Sequence, residues 1–253
     1  MNPTAIGLIV FAFIFGGALL GMFMRAVLPE DHFNNESKDA VKLGTGLIAT
    51  MTALVLGLMT ASAKSSFDAQ DTLVKHAAAD ILTLDRIMAR YGPETKDIRE
   101  SIRRVVAIRL EEVWPSDGSK RERIEPSTIA REVEGIADRI RALSPHNDAQ
   151  WWLRRRASDI NEEMLKSRWL LFGGTGASIQ VPFLVALVFW LTITFSSFGL
   201  FAPRNATVVA VMCLCALSVS SVIFLILEMD RPFDGVIKVS GAPVRYALAH
   251  LGQ

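Results

Sequence analysis

Four long stretches of this 253-residue chain contain no Asp, Glu, Lys or Arg: Ala5 to Met24, Leu43 to Ala63, Ala177 to Ala202 and Ala206 to Leu227. A helix crossing bilayer hydrocarbon needs about 20 mostly apolar residues, and each stretch supplies them. A charge at the centre of such a helix costs about 2.5 kcal/mol or more on the insertion scale, so charge-free runs are what lipid demands. Soluble cores do not contain apolar runs of this length, which excludes a globular reading. Cysteine is scarce as well. Cys213 and Cys215 lie two residues apart inside the fourth stretch, on different faces of a helix, where they cannot bridge each other and count as small apolar residues. Lys and Arg are missing from Met1 to Ile6, and the run that follows exceeds the ~7–15 residues of a signal-peptide core. The first stretch is therefore expected to stay as an anchor.

No catalytic constellation is present. Gly173 to Gly176 reads GGTG and lacks the Lys of a phosphate-binding loop; its place at a membrane boundary points to a helix break. The four histidines are scattered, and His32 beside Glu30 and Asp31 reads as a solvated acidic turn, so no metal site and no cofactor are expected. No span carries a buried acid or base, which argues against a proton-relay pump or an ion-coupled transporter. The net charge of +1 gives no ground for a nucleic-acid partner.

What is present is strongly partitioned. Of the 27 Lys and Arg, twenty lie between Lys64 and Arg168, and Arg231, Lys238 and Arg245 follow the last stretch. Arg25, Lys38 and Lys42 in the first connection are outnumbered by Glu30, Asp31, Glu36 and Asp39, and the second short connection has only Arg204. The positive-inside rule then puts the middle and both termini in the cytoplasm. The expected organisation is a first span at 1–26, an external loop at 27–42, a second span at 43–63, a cytoplasmic helical domain at 64–176, third and fourth spans at 177–227, and a cytoplasmic tail at 228–253.

Helical periodicity runs through the middle. Leu73, Ala77, Ile81, Leu84, Met88 and Tyr91 recur at three- and four-residue steps and predict a helix from Phe67 to Tyr91. Gly92-Pro93 predicts the corner of a helical hairpin, with Ile98, Ile102, Val105, Val106, Leu110 and Val113 on one side of a return helix over Glu94 to Trp114. Pro115 to Pro126 reads as a polar loop. Ser127 is expected to cap a short helix ending before Pro145, and Asn147 with Gln150 has capping-box spacing for another. Trp151, Trp152 and Arg154-Arg155-Arg156 form an aromatic and basic cluster on that last helix. Headgroup contact is one reading. Core or subunit-contact anchoring, with Asp159, Glu162 and Glu163 as partners, is the favoured one.

Within the spans, Gly17-x-x-x-Gly21 has the spacing that lets two helix backbones approach closely. The second span is rich in small and hydroxyl residues, including Gly44, Thr45, Gly46, Thr50, Thr52, Gly57 and Thr60. Two readings stay open. The hydroxyls bond back to their own helix and the glycines mark a packing seam, or the helix lines a narrow pathway. In the second case Thr45 is a pore-lining candidate and Thr52 is wetted, with Leu47, Met51, Val55 or Met59 forming an apolar constriction that gates by dewetting. After the fourth span comes Glu228-Met229-Asp230-Arg231-Pro232-Phe233-Asp234-Gly235. Acids at a helix C-terminus oppose the macrodipole, so Arg231 either pairs them or the turn serves a cytoplasmic vestibule or ion-sensing role.

The segment ILEMDRPFDGVIKVSGAPVRYAL, from Ile226 to Leu248, resembles the closing motif of a bacterial bestrophin-like membrane family. Leu28-Pro-Glu-Asp-His32, Leu84-Asp85-Arg86 through Tyr91-Gly92-Pro93-Glu94, and Phe201-Ala202-Pro203-Arg204-Asn205 resemble that family in the expected order. The resemblance implies an all-α membrane protein: four transmembrane helices in two pairs, with a helical cytoplasmic domain between spans two and three. It also implies a homo-oligomeric, pentameric channel like the bestrophins. The long acidic stretch that helps bestrophins bind calcium is missing, so calcium gating is not carried over. The expectation is an ion channel of the bacterial cytoplasmic membrane whose partners are the lipid bilayer, its own copies and ions. The alternative is a non-conducting adaptor or sensor whose helical domain docks a protein partner.

Overall fold

The computed structural model describes residues 2–27, 35–115, 126–173 and 181–253. They form α1 (Pro3–Val27), α2 (Asn35–Tyr91), a 3-10 turn (Pro93–Thr95), α3 (Lys96–Val113), α4 (Pro126–Ala142), α5 (Asp148–Gly173), α6 (Val181–Phe201), α7 (Ala206–Met229) and α8 (Ala242–His250). Four of these, α1, α2, α6 and α7, are long and apolar enough to cross a membrane. The turn at Leu28 to His32, the interior of the loop from Pro115 to Pro126, the Ser127 side chain and the GGTG segment after Gly173 lie outside what is described. The chain divides into two compact units, Met1–Phe67 with Ala177–Ile237, and Asp68–Gly176 with Lys238–Gln253.

The second span and the helix expected from Phe67 are one element. α2 runs unbroken for 57 residues. Lys64-Ser65-Ser66, between the two patterns, contains neither Gly nor Pro, so nothing there stops a helix.

In the first unit, α1 packs against α6 and α7. Val10, Ile14 and Ala18 of α1 join Leu187, Leu191 and Phe195 of α6 and Ala216 and Ile223 of α7 in one buried cluster. Small residues allow the close approach. A Cβ on Gly17 would stand 2.9 Å from Thr192 Cγ2, one on Gly21 only 2.0 Å from the Ser196 carbonyl oxygen, and one on Gly199 2.0 Å from that of Ala18. Close helix contact in lipid rests on such residues, because apolar burial gives no advantage there. Two arginines lock one end of this seam. Arg25 Nη1 donates to the carbonyls of Phe201 and Ala202, at 3.1 and 2.8 Å, while Arg204 Nη2 donates to the carbonyl of Met22. Arg25 thereby satisfies carbonyls at the end of α6 that have no donor within that helix, and Arg204 adds a second bond to a carbonyl in the last turns of α1.

The second unit is built on the expected hairpin. Gly92 takes φ +149°, a conformation only glycine adopts without strain, and the 3-10 turn follows. Thr95 is fully buried and its hydroxyl reaches the carbonyls of Met88 and Gly92. Ile81, Leu84, Met88 and Tyr91 are buried as the periodicity predicts, with Val74 and Ala78 buried in place of the half-buried Leu73 and Ala77. On α3, Ile98, Ile102 and Val106 are buried, while Val105, Leu110 and Val113 are half-buried. Across the corner, Asp85, at 1% exposure, receives two hydrogen bonds from Arg99, at 2.8 and 2.9 Å. That bond holds the Arg99 guanidinium above its ordinary pKa against the opposing effect of burial. The tail closes over the pair: Gly252 N–H donates to Asp85, and Arg86 and Arg99 donate to the Gln253 carbonyl. Trp114 Nε1 donates to Val239 O at 2.8 Å, and Gly241 leaves room for its ring.

Asn147 Oδ1 accepts from Gln150 N–H, as its spacing predicts, but Gln150 Oε1 reaches His146 N–H, one residue before the cap. Trp151 and Trp152 are about half exposed within the single chain, with the Arg155 guanidinium 5.7 Å over the Trp151 ring. Arg154 caps the Leu143 carbonyl. Among the described residues no ion pair joins Arg154, Arg155 or Arg156 to Asp159, Glu162 or Glu163.

Burial, followed by the nearby Glu163, holds the Asp80 carboxyl above the usual carboxylate range, while His76 and Arg156 pull it down. The folded chain thus keeps this proton longer than the unfolded chain. Stability from Asp80 is fullest at low pH and is lost as pH rises from the ordinary value through the raised one. Asp80→Asn is expected to unfold at a higher temperature than wild type at neutral pH, the gap closing below about pH 4. Thermal scans across pH would check this; a gap that widens on acidification contradicts it.

Candidate functional site

Of the four membrane-length helices, α2 is the least covered by its own chain, with 11% of its most apolar window buried against 22–33% for the others. Its inner side is narrow. Thr45 Oγ1 donates to Ser197 Oγ of α6 at 2.9 Å, and Thr52, also buried, donates to the Ile48 carbonyl at 2.7 Å. Thr50 and Thr60 bond back to Gly46 and Leu56 in the same way. Val55 and Met59 are half-buried against the α1–α6–α7 cluster. The hydroxyls thus spend their protons within the protein, as hydroxyls in an apolar helix do when no water is at hand.

The outer side presents Leu43, Leu47, Met51, Leu54 and Leu58, all exposed. Gly44, Gly46 and Gly57 have open space where a side chain would stand, so they form no seam within this chain. The six sequence candidates therefore separate. Leu47 and Met51 lie on the open face, Thr45 and Thr52 on the covered one, and Val55 and Met59 at the margin. Steps of four residues advance about 400° around a helix, so 47, 51, 55 and 59 drift about 40° each time and leave one face for another. Leu54 and Leu58 were missed. Alternating steps of four and three from Leu47 would have found them, because they hold to one side.

At the far end of α7, the residues from Glu228 to Gly235 come together in one turn. Glu228 is 3% exposed, and its Oε2 accepts the N–H of Val236 at 2.6 Å. Gly235 has φ +116°, and a Cβ there would lie 2.3 Å from the same oxygen. Arg231 N–H bonds the Glu228 carbonyl and Asp234 N–H that of Arg231, with Asp230 N–H on Ile226 and Pro232 and Phe233 completing the bend. A carboxylate held by a backbone amide is how this acid tolerates a helix C-terminus. Among the described residues no group of three or more His, Cys, Asp or Glu is placed to hold a metal ion.

Comparison with known proteins adds the remaining observations. The bestrophin-like domain pattern matches residues 12–244. Crystal structures of single-substitution variants of a bacterial bestrophin homologue from Klebsiella pneumoniae share the fold. One is 16% identical with a TM-score of 0.63, covering 96% of this chain and 99% of the other. A second is 17% identical with a TM-score of 0.61, covering 96% of each. No curated protein matches the chain.

Proposed function

The chain belongs to the bestrophin-like family, and from that premise we propose that it is a homo-pentameric ion channel of the bacterial cytoplasmic membrane, with α2 lining the pore. The observation that carries this is the open face of α2. An apolar helix with three uncovered glycines and so little of its surface buried leaves room for neighbouring copies and for a narrow pathway between them. Leu47 and Met51 form the constriction, bordered by Val55 and Met59, while Thr45 ties the helix to α6 and Thr52 stays on the covered side. Both termini and the helical middle face the cytoplasm, on the charge distribution.

Anions are preferred over cations. The first charges flanking the pore segment are Lys42 and Lys64, and no carboxylate lies between them. Rings of Lys favour anions as rings of Asp or Glu favour cations.

Planar-bilayer recording of the purified protein tests the reading. Wild type conducts, and Met51→Thr, which shortens and wets the constriction, raises unit conductance about twofold or more. Thr52→Ala, on the covered face, leaves it near the wild-type value. A silent wild type returns the second reading, a non-conducting adaptor; the half-exposed Trp151 and Trp152 on α5 favour that reading. Unchanged currents in Met51→Thr remove the pore assignment.

A further inference from the structure

Below the hairpin corner the second unit contains a half-open cavity of about 370 Å³ that the channel reading does not use. Three of its walls are cations on α3: Lys96, Arg99 and Arg103. At 100° per residue they fall within about 60° of one another around the helix, and Lys96 and Arg103 are about 10.5 Å apart along it. The backbone of Gly92 and Gly252 closes the cavity, and Glu100 is the sole acidic side chain lining it.

Like charges one turn apart oppose the helix, so three together need a reason. Arg99 has one already. Its Nε and Nη2 are fixed by buried Asp85, which aims the group and leaves Nη1 without a hydrogen bond among the described residues. Lys96 and Arg103 have no ion pair or side-chain hydrogen bond among the described residues. Every positive group at the cavity except the anchored side of Arg99 is therefore available to a ligand.

We infer that this cavity binds a multiply charged phosphate anion, a free diphosphate or the diphosphate of a nucleotide. The anchored guanidinium offers the directed donor that phosphate oxygens match, and Lys96 and Arg103 supply charge on either side. A single chloride would leave most of these donors and most of the volume unused. The site uses the Gly252 turn, so an occupied cavity also holds the tail.

Calorimetric titration of the full-length protein in detergent with inorganic pyrophosphate tests this, with ADP as the second arm and chloride at matched ionic strength as the control. Pyrophosphate binds saturably, and the surface double variant Lys96→Gln/Arg103→Gln weakens it by about tenfold or more. That variant's unchanged thermal midpoint separates lost binding from lost folding. Glu100→Gln tightens binding severalfold, since it removes the one opposing charge. Tighter binding of ADP identifies a nucleotide and equal binding a free diphosphate. No saturable heat with either, or a double variant that binds as wild type does, overturns the proposal. Neither result bears on conduction, which the bilayer recordings decide separately.

Discussion

Gly21→Ala and Gly199→Ala should each destabilise the protein by about 3 kcal/mol, the upper end of the usual range for overpacking. The added Cβ would lie 2.0 Å from a backbone carbonyl oxygen in both cases, that of Ser196 or that of Ala18. A crowded side-chain tip can rotate away, but a carbonyl inside a helix cannot move without its helix. The α1–α6 seam must therefore separate along its length, losing the packing of Val10, Ile14 and Ala18 on Leu187 and Leu191. Gly16→Ala is the matched control: nothing lies within 4 Å of its added carbon, and relief of glycine's backbone entropy should stabilise by about 0.5–1 kcal/mol. Unfolding in detergent would read all three. Similar midpoints for Gly16→Ala and Gly21→Ala would mean that the seam is not where the stability lies.

Asp85→Ala should cost about 3–5 kcal/mol, the scale for removing one partner of a buried pair. Arg99, only 20% exposed, would keep its charge and lose both hydrogen bonds to the carboxylate. Gly252 N–H would lose its acceptor too. The damage should therefore reach the tail, and α8 should exchange its amide hydrogens faster than α3 does. A double variant, Asp85→Leu/Arg99→Met, should recover much of the loss because it removes the stranded charge along with its partner. A double variant no more stable than Asp85→Ala would show that the pair matters through something other than its charge.

Much of this could be read before any coordinates, for physical reasons that differ by element. The four apolar helices announce themselves because lipid penalises every charge within them. The hairpin at Gly92 was legible from Gly and Pro in series, and its geometry implied more than the periodicity alone. Asp85 and Arg99 are each seven residues from the corner, so an antiparallel return sets them opposite one another. The continuity of α2 was hidden because its apolar pattern changes at Lys64, and a change of solvent looks like an end. Gly17-x-x-x-Gly21 was visible, whereas its counterpart, Gly199, is a lone glycine with no spacing to mark it. The two sides of α2 were harder still. Which threonines are covered depends on α6, where the partner of Thr45 lies 152 residues away, and sequence periodicity carries no record of that neighbour.

The paired arginines also set a timetable for biogenesis. Arg204 meets the Met22 carbonyl across 182 residues, and Arg25 meets that of Ala202 across 177. At about 5–20 residues per second, the ribosome needs roughly ten to thirty-five seconds to make the intervening chain. Throughout that interval the first helix waits with its glycine groove unfilled and Arg25 without the carbonyls it will bond. A nascent chain stalled before α6 would display both to any membrane chaperone or protease, which gives the cell a means of telling an unfinished copy from a finished one.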